Sequence, residues 1–381
     1  MRLPLAALWA VSALIAPALA QAPPSPPHGQ QPRPAPQQAA PAPDGRQQQT
    51  PQQAAARQTL PPDSTTKHNL ILPDGRALSF TATAGSIRLT NFESGAPIAD
   101  IAYIAFQLPD ADRATRPVTF AMNGGPGYAS AWLNLGAMGP WRLPMDANAS
   151  RPSAPAMTQP NAETWLPFTD LVFLDPAGTG YSRVRGGDDA RKSLWSVNGD
   201  IDSLATTIRR WVEQNDRGAS PKFIAGESYG GFRAPRIAQR LQVDQGVGVN
   251  GMILVSPVLD FSRFNSRSGL LDHVARLPTY AASMRAMERE ITRGDMRDVE
   301  DYARGEFLDD LMRGLKDTAV VERVSKRVSD LTGIPVDVTR RYAGRIPMNV
   351  FLEEFRRANN RVVSMYDATV EGLDPSPYSE R

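Results

Sequence analysis

The spacing of hydrophobic positions changes along the chain, and each change predicts a different kind of element. Residues 70–72 and 76–83 flank Pro73-Asp74-Gly75 and read as a β-hairpin, with further strands over 86–90 and 98–107. These predict an antiparallel edge. Four short apolar runs without alternation follow at 118–122, 171–174, 223–225 and 252–255, the pattern of parallel strands buried on both faces. Helical spacing recurs between them: over 200–214, Ile201, Leu204, Ile208, Trp211 and Val212 keep a 3.6-residue period. The alternation predicts an α/β fold with a mostly parallel central sheet.

Beyond residue 262 the texture becomes charge-rich, with apolar side chains three and four apart over 281–315, 319–331 and 350–359. Val299, Tyr302, Ala303, Phe307, Leu311 and Leu315 illustrate it, and the stretch reads as a helical cap inserted into the sheet. No heptad survives the breaks at Gly294, Gly305, Gly333-Ile334-Pro335 and Pro347, so a coiled coil does not fit. Residues 361–381 end without a closing strand or helix. That ending is abrupt.

Composition adds the N-terminal organisation. Residues 1–20 carry one charge, Arg2, an apolar run and Ala18-Leu19-Ala20, which reads as a cleaved export signal. A Pro-, Gln- and Ala-rich stretch without Val, Ile, Phe, Trp or Tyr follows and reads as a disordered linker that cannot build a core. The expected organisation is a signal peptide at 1–20, a linker at 21–66, a core at 67–275, a cap at 276–365 and a truncated return to the core at 366–381. A periplasmic or secreted protein, not integral to the membrane after cleavage, follows as an expectation.

Charge and rare residues narrow the function. With 42 basic against 40 acidic residues the net charge is +2, and the arginines are interleaved with acids, so no nucleic-acid partner is expected. There is no Cys, which excludes disulfides, thiolate metal sites and a Cys nucleophile. Three histidines, His28, His68 and His273, leave little for a metal site, and neither a metal nor an organic cofactor is expected.

Gly226-Glu227-Ser228-Tyr229-Gly230 matches G-x-S-x-G, a tight strand-to-helix turn in which small flanking residues let a serine project above a sheet. The pattern alone is common. Here an apolar run precedes it and residues 231–241 can form a helix whose amino end supports a developing anion, so Ser228 reads as a nucleophile rather than a surface turn. A second cluster, Asn123-Gly124-Gly125-Pro126-Gly127, follows the run at 118–122 and suits backbone oxyanion donors. A simple turn is the bland alternative, and a phosphate loop lacks its G-K-[ST] ending.

In order along the chain, three motifs resemble those of the serine carboxypeptidases, a family with the α/β-hydrolase fold. They are Asn123-Gly124-Gly125-Pro126-Gly127 continuing through residues 135–140, Asp175-Pro176-Ala177-Gly178-Thr179-Gly180-Tyr181-Ser182 after its strand, and Gly226 to Gly231 with Pro235. The resemblance covers roughly residues 70–275 and implies a peptide substrate whose C-terminal residues are released through a Ser228 acyl-enzyme. It implies an oxyanion hole from the N–H groups of Gly125 and Tyr229, and a grip on the substrate's terminal carboxylate by Asn123 and Glu227. Because two carboxylates can share one proton but repel when both are ionised, a preference for acidic pH is expected. The chain departs from many eukaryotic members at Ala137, where they carry a Glu that supports this grip, and at Tyr128, where they carry a Cys. Ser182 lacks the elbow spacing and reads as structural, and Asp175 as a carboxylate that fixes loops.

A serine nucleophile needs a general base, and in this fold class the order is Ser, Asp, His. Only His273 follows Ser228, and the adjacent Asp272 is poorly placed to orient it. The resemblance places the Asp and His on the last strands of the sheet, beyond the cap, so both are expected outside this chain and the sheet is expected to be incomplete at its C-terminal end, as in a fragment of a longer exported peptidase. Two other readings stay open: an esterase or acyltransferase using the same acyl-enzyme, and a catalytically inactive binding protein.

Overall fold

A computed structural model describes residues 60–144, 157–261 and 269–374. The expected signal peptide and His28 lie outside them, as do most of the linker and the last seven residues. Seven principal strands form the sheet: β1 (Ser64–Ile71), β2 (Ala77–Thr90), β3 (Pro97–Gln107), β4 (Val118–Met122), β5 (Asp170–Leu174), β6 (Lys222–Glu227) and β7 (Gly251–Val255). Their spatial order is β1-β2-β3-β5-β4-β6-β7, and the two-residue strand Arg183–Val184 joins β3 as an eighth. The first three pair antiparallel, β3 pairs antiparallel with β5, and β5, β4, β6 and β7 run parallel.

Three of the four unalternating runs are buried because both faces of the sheet are covered there, whereas the fourth, in β7, was expected to be buried and is not, since β7 has a partner strand on one side only. On one face Val118, Phe120, Met122, Val172, Leu174 and Ile224 pack beneath α1 (Val197–Gln214) and α2 (Tyr229–Asp244). The fully buried Trp211 of α1 meets Phe120 edge to face, with ring centroids 5.4 Å apart. On the opposite face Ala121, Leu171, Phe173 and Ala225 join Phe80, Phe106 and Leu166 in a second cluster. β7 is the last strand of the sheet among the described residues, and Met252 and Leu254 on it are exposed.

Boundaries differ from expectation in four places. β1 begins inside the segment assigned to the linker, since Thr65 and Thr66 suit a strand and the Thr65 hydroxyl meets that of Thr83 at 2.8 Å. The strands expected at 76–83 and 86–90 are one element, β2. Gly85 carries it through, because a Cβ there would meet the Tyr103 ring of β3. The helix α3 (Leu270–Glu288) starts well before residue 281 and runs through the expected core-to-cap boundary at 275/276 despite Pro278. Its buried side chains His273, Leu277, Tyr280 and Ala281 keep helical spacing on both sides of that proline. Finally, residues 361–381 do contain strands: Arg361–Val363 and Glu371–Leu373 pair as a hairpin.

The helical layer has its own core, in which Leu277, Val299, Phe307, Leu311, Val324, Val328 and Phe351 meet. Tyr280 and Phe351 stack there with centroids 4.1 Å apart. The α4 helix (Thr318–Thr332) is opened by Asp317, whose side chain accepts the Val320 N–H, and closed by Gly333 in the left-handed conformation.

A buried ion network ties the amino ends of the parallel strands. Asp170, the first residue of β5, accepts Arg116 Nε at 2.7 Å, Arg217 at 2.5 Å and the Leu108 N–H at 3.1 Å. Arg217 is fully buried and also donates to the Ser220 hydroxyl and the carbonyls of Arg116 and Pro117. This network lies at the end of the sheet opposite the serine turn.

Candidate active site

After β4 the chain crosses to β5 on one side, and then to β6 on the other, so β4 and β6 are adjacent parallel strands flanking a topological switch point. Open α/β sheets bind ligands at the carboxyl ends of such strands. The register pairs Met122 with Gly226, so the next residues, Asn123 and Glu227, leave the sheet side by side. The Asn123 Nδ2 donates to Glu227 Oε2 at 3.1 Å. The Asn123 side chain is also held by the Leu133 N–H on its Oδ1 at 3.0 Å, and the residue is buried.

Ser228 sits between β6 and α2 with φ 56° and ψ −118°, a strained conformation for a residue with a side chain. The flanking glycines follow from the sharpness of this turn. A Cβ on Gly226 would overlap the carbonyl oxygen of Gly230, and one on Gly230 would lie 2.5 Å from the Met122 carbonyl oxygen. The Ser228 N–H donates to Val255 O at 2.9 Å, which anchors the turn on β7, while its hydroxyl does not cap α2. The Tyr229 N–H belongs to the first turn of a helix and has no intrahelical acceptor. Gly124 packs against that amide so closely that a Cβ on Gly124 would overlap it. Gly125, at φ +105°, follows in the same loop, and the Gly125–Pro126 peptide is cis. Asn123 and Gly125 thus follow the end of β4, and Glu227, Ser228 and Tyr229 span the adjoining turn from β6 to α2.

The loop after β5 holds this arrangement from behind. Asp175 accepts the Ser130 N–H at 2.9 Å on one oxygen and the Tyr181 N–H at 3.0 Å on the other. Burial pushes its carboxyl above the usual range, and these two amides oppose the shift. Ser130 in turn bonds the Leu174 carbonyl and receives the Asn123 N–H. Ser182 receives the Ala102 N–H and donates to the Asp175 carbonyl, so its hydroxyl is occupied in fixing loops. Asp175→Ala leaves the N–H of the buried Ser130 without its acceptor, while the exposed Tyr181 N–H can turn to water, and is expected to cost about 1–3 kcal/mol. Urea unfolding measures it, and a loss below about 0.5 kcal/mol would contradict the assignment.

One further pair has little signal in the residue pattern. Arg233 on α2 and Asp200 on α1 are both buried and form an ion pair, Nε to Oδ2 at 2.6 Å. Arg233 also donates to the Asn123 carbonyl at 2.7 Å, and its guanidinium lies over the Tyr229 ring. Burial pushes the Asp200 carboxyl up, opposed by Arg233. The available signal was a charge among core-facing neighbours: Asp200 precedes Ile201 and Leu204, and Arg233 precedes Ala234 and Ile237.

The two described histidines sit on other elements, β1 and α3. His68 on β1 stacks on Phe80 and meets Trp141 edge to face, and five strand steps separate β1 from β6. At nearly 5 Å a step, that is on the order of 24 Å. His273 lies in the helical layer and lines a small cavity with Leu277, Tyr280 and Phe307. Among the described residues there is no cluster of three or more His, Asp or Glu side chains that could hold a metal.

A mixed sheet with this strand order, a strained serine at the turn from β6 to α2 and a glycine loop against its following amide define an α/β-hydrolase. The model of the serine carboxypeptidase family matches residues 100–293, a span that contains both loops and the Asp175 turn. The chain belongs to the serine carboxypeptidase family. Among its relatives, the pheromone-processing carboxypeptidase KEX1 of Yarrowia lipolytica is 31% identical over 147 residues, covering 38% of this chain and 22% of that protein. The serine carboxypeptidase-like protein 5 of Arabidopsis thaliana is 24% identical over 219 residues, covering 55% and 45%. The crystal structure of a prohormone-processing carboxypeptidase from Saccharomyces cerevisiae superposes with a TM-score of 0.47 at 16% identity, covering 78% of this chain and 58% of that one. The matched stretch thus spans less than half the length of either curated relative.

Proposed function

We propose that the protein is an exported serine carboxypeptidase that releases C-terminal residues from peptides through an acyl-enzyme on Ser228. The observation that carries this reading is the Asn123–Glu227 hydrogen bond beside the strained serine. An amide donor and a carboxylate converge next to a nucleophile whose following N–H faces the glycine loop. In this reading the Ser228 hydroxyl oxygen attacks the scissile carbonyl carbon, and the N–H groups of Gly125 and Tyr229 stabilise the oxyanion. The leaving amine takes a proton as the C–N bond breaks, and water hydrolyses the resulting ester. Asn123 donates to the terminal carboxylate of the substrate while Glu227 shares a proton with it. Ala137 is exposed and adds nothing polar, so the grip rests on these two residues.

Ser228 needs a base to lose its proton, and the geometry assigns that role to none of the described side chains. Export rests on the pattern of residues 1–20; no helix among the described residues is long and apolar enough to cross a membrane.

The test is a peptide panel with free and amidated carboxyl termini, assayed with the protein purified from the cell that makes it. Free termini are expected to be processed at least about tenfold faster, since an amide forfeits a charge-assisted contact worth more than 1.4 kcal/mol. Equal cleavage of both sets would sink the exopeptidase reading, and turnover confined to activated esters would point to an esterase.

A further inference from the structure

The glycine loop and the loop after β5 enclose, together with the first turns of α1 and α2, a pocket of about 330 Å³. Its walls include Pro126, Ala177, Trp195 and Tyr229, and its polar groups include Asp200 and Arg233. Tyr229 links it to the serine site, because the same residue offers its backbone N–H to the oxyanion and its ring to this wall. Two features decide what the pocket can hold.

The first is Trp195. Its residue is 62% exposed, an unusual position for so large an apolar surface, yet its ring is fixed. The indole Nε1 donates to the Ala177 carbonyl at 3.1 Å, and Gly178 packs so closely that an added Cβ would lie 3.0 Å from that nitrogen. An aromatic face held in place before a ligand arrives binds at little further entropic cost. The second feature is the Asp200–Arg233 pair. Each charge is already compensated by the other, so a charged entrant would shed its water without finding a counter-charge.

We infer that this pocket is a side-chain subsite for a large uncharged side chain of the substrate, aromatic or branched aliphatic, with Trp195 as its specificity-determining residue. The inference rests on the peptidase reading for its biological meaning, but its chemistry can be tested without turnover. The protein holds six tryptophans, so ¹⁵N labelling gives a short set of indole N–H resonances, and Trp195→Phe identifies the one from Trp195. The probes are N-acetyl-phenylalaninamide and N-acetyl-lysinamide, which carry no free carboxylate.

The phenylalanine compound is expected to shift the Trp195 resonance saturably, and the lysine compound to leave it in place at the same concentration. Saturation-transfer titration should show Trp195→Ala binding the phenylalanine compound about tenfold more weakly, the scale of a lost aromatic contact. Trp195→Phe keeps a ring and should stay within about threefold of the parent, which separates loss of the wall from loss of the fold. An unmoved Trp195 resonance, an equal response to both compounds, or unchanged binding by Trp195→Ala would each overturn the subsite. The peptide panel decides the peptidase reading separately, because blocked amides probe the pocket alone.

Discussion

Ser228→Ala is expected to lower peptide hydrolysis by at least about 10³-fold and to abolish covalent labelling by a fluorophosphonate. The size follows from the chemistry: removing the nucleophile of a triad hydrolase costs up to about 10⁶ in kcat, with residual turnover from oxyanion stabilisation and binding. Several backbone features favour Ser228 for the task among the described residues. Its φ of 56° turns the side chain away from α2, its own N–H is tied to Val255, and the next amide faces Gly124. Ser182, the other serine in a glycine-rich turn, has its hydroxyl in two hydrogen bonds. Proteolytic mapping of the labelled parent decides between them. Label on Ser182, or unchanged turnover in Ser228→Ala, would refute the assignment.

The second large effect is on stability. Asp170→Ala should destabilise the fold by about 3–5 kcal/mol, because it leaves the fully buried guanidinium of Arg217 without a counter-charge and removes the acceptor of Arg116 and of the Leu108 N–H. For a protein of this size the melting temperature should fall by about 5–8 °C. Asp170→Asn, which keeps the shape and one acceptor, should cost less. Calorimetry checks both, and a fall of less than about 2 °C for Asp170→Ala would mean that water or relaxation compensates the arginines.

How much of this was legible beforehand depended on whether one local pattern decided the outcome. The positions of the parallel strands were, because each carries an unbroken apolar run, but the run in β7 did not reveal that Met252 and Leu254 are exposed. The elbow and the glycine loop were, because contacts as close as Gly226 on Gly230 and Gly124 on the Tyr229 amide admit no other residue. Buried charge was not. Asp170, Asp200, Arg217 and Arg233 have the letters of surface residues, and only the fold brings each acid to its base. The start of the helical layer was hidden by Pro278, a helix breaker that the packing of His273, Leu277 and Ala281 overrides. The C-terminal hairpin was hidden by its length, since strands of three residues carry no readable period.

The sheet and the helical layer bury separate sets of side chains, with no buried residue common to the two cores. Mutations in sets that do not touch add rather than interact. The helical layer can therefore accumulate substitutions, or be recombined as a block, without repacking the strands that shape the serine turn. Drift within that layer is thereby uncoupled from the geometry that exposes the serine.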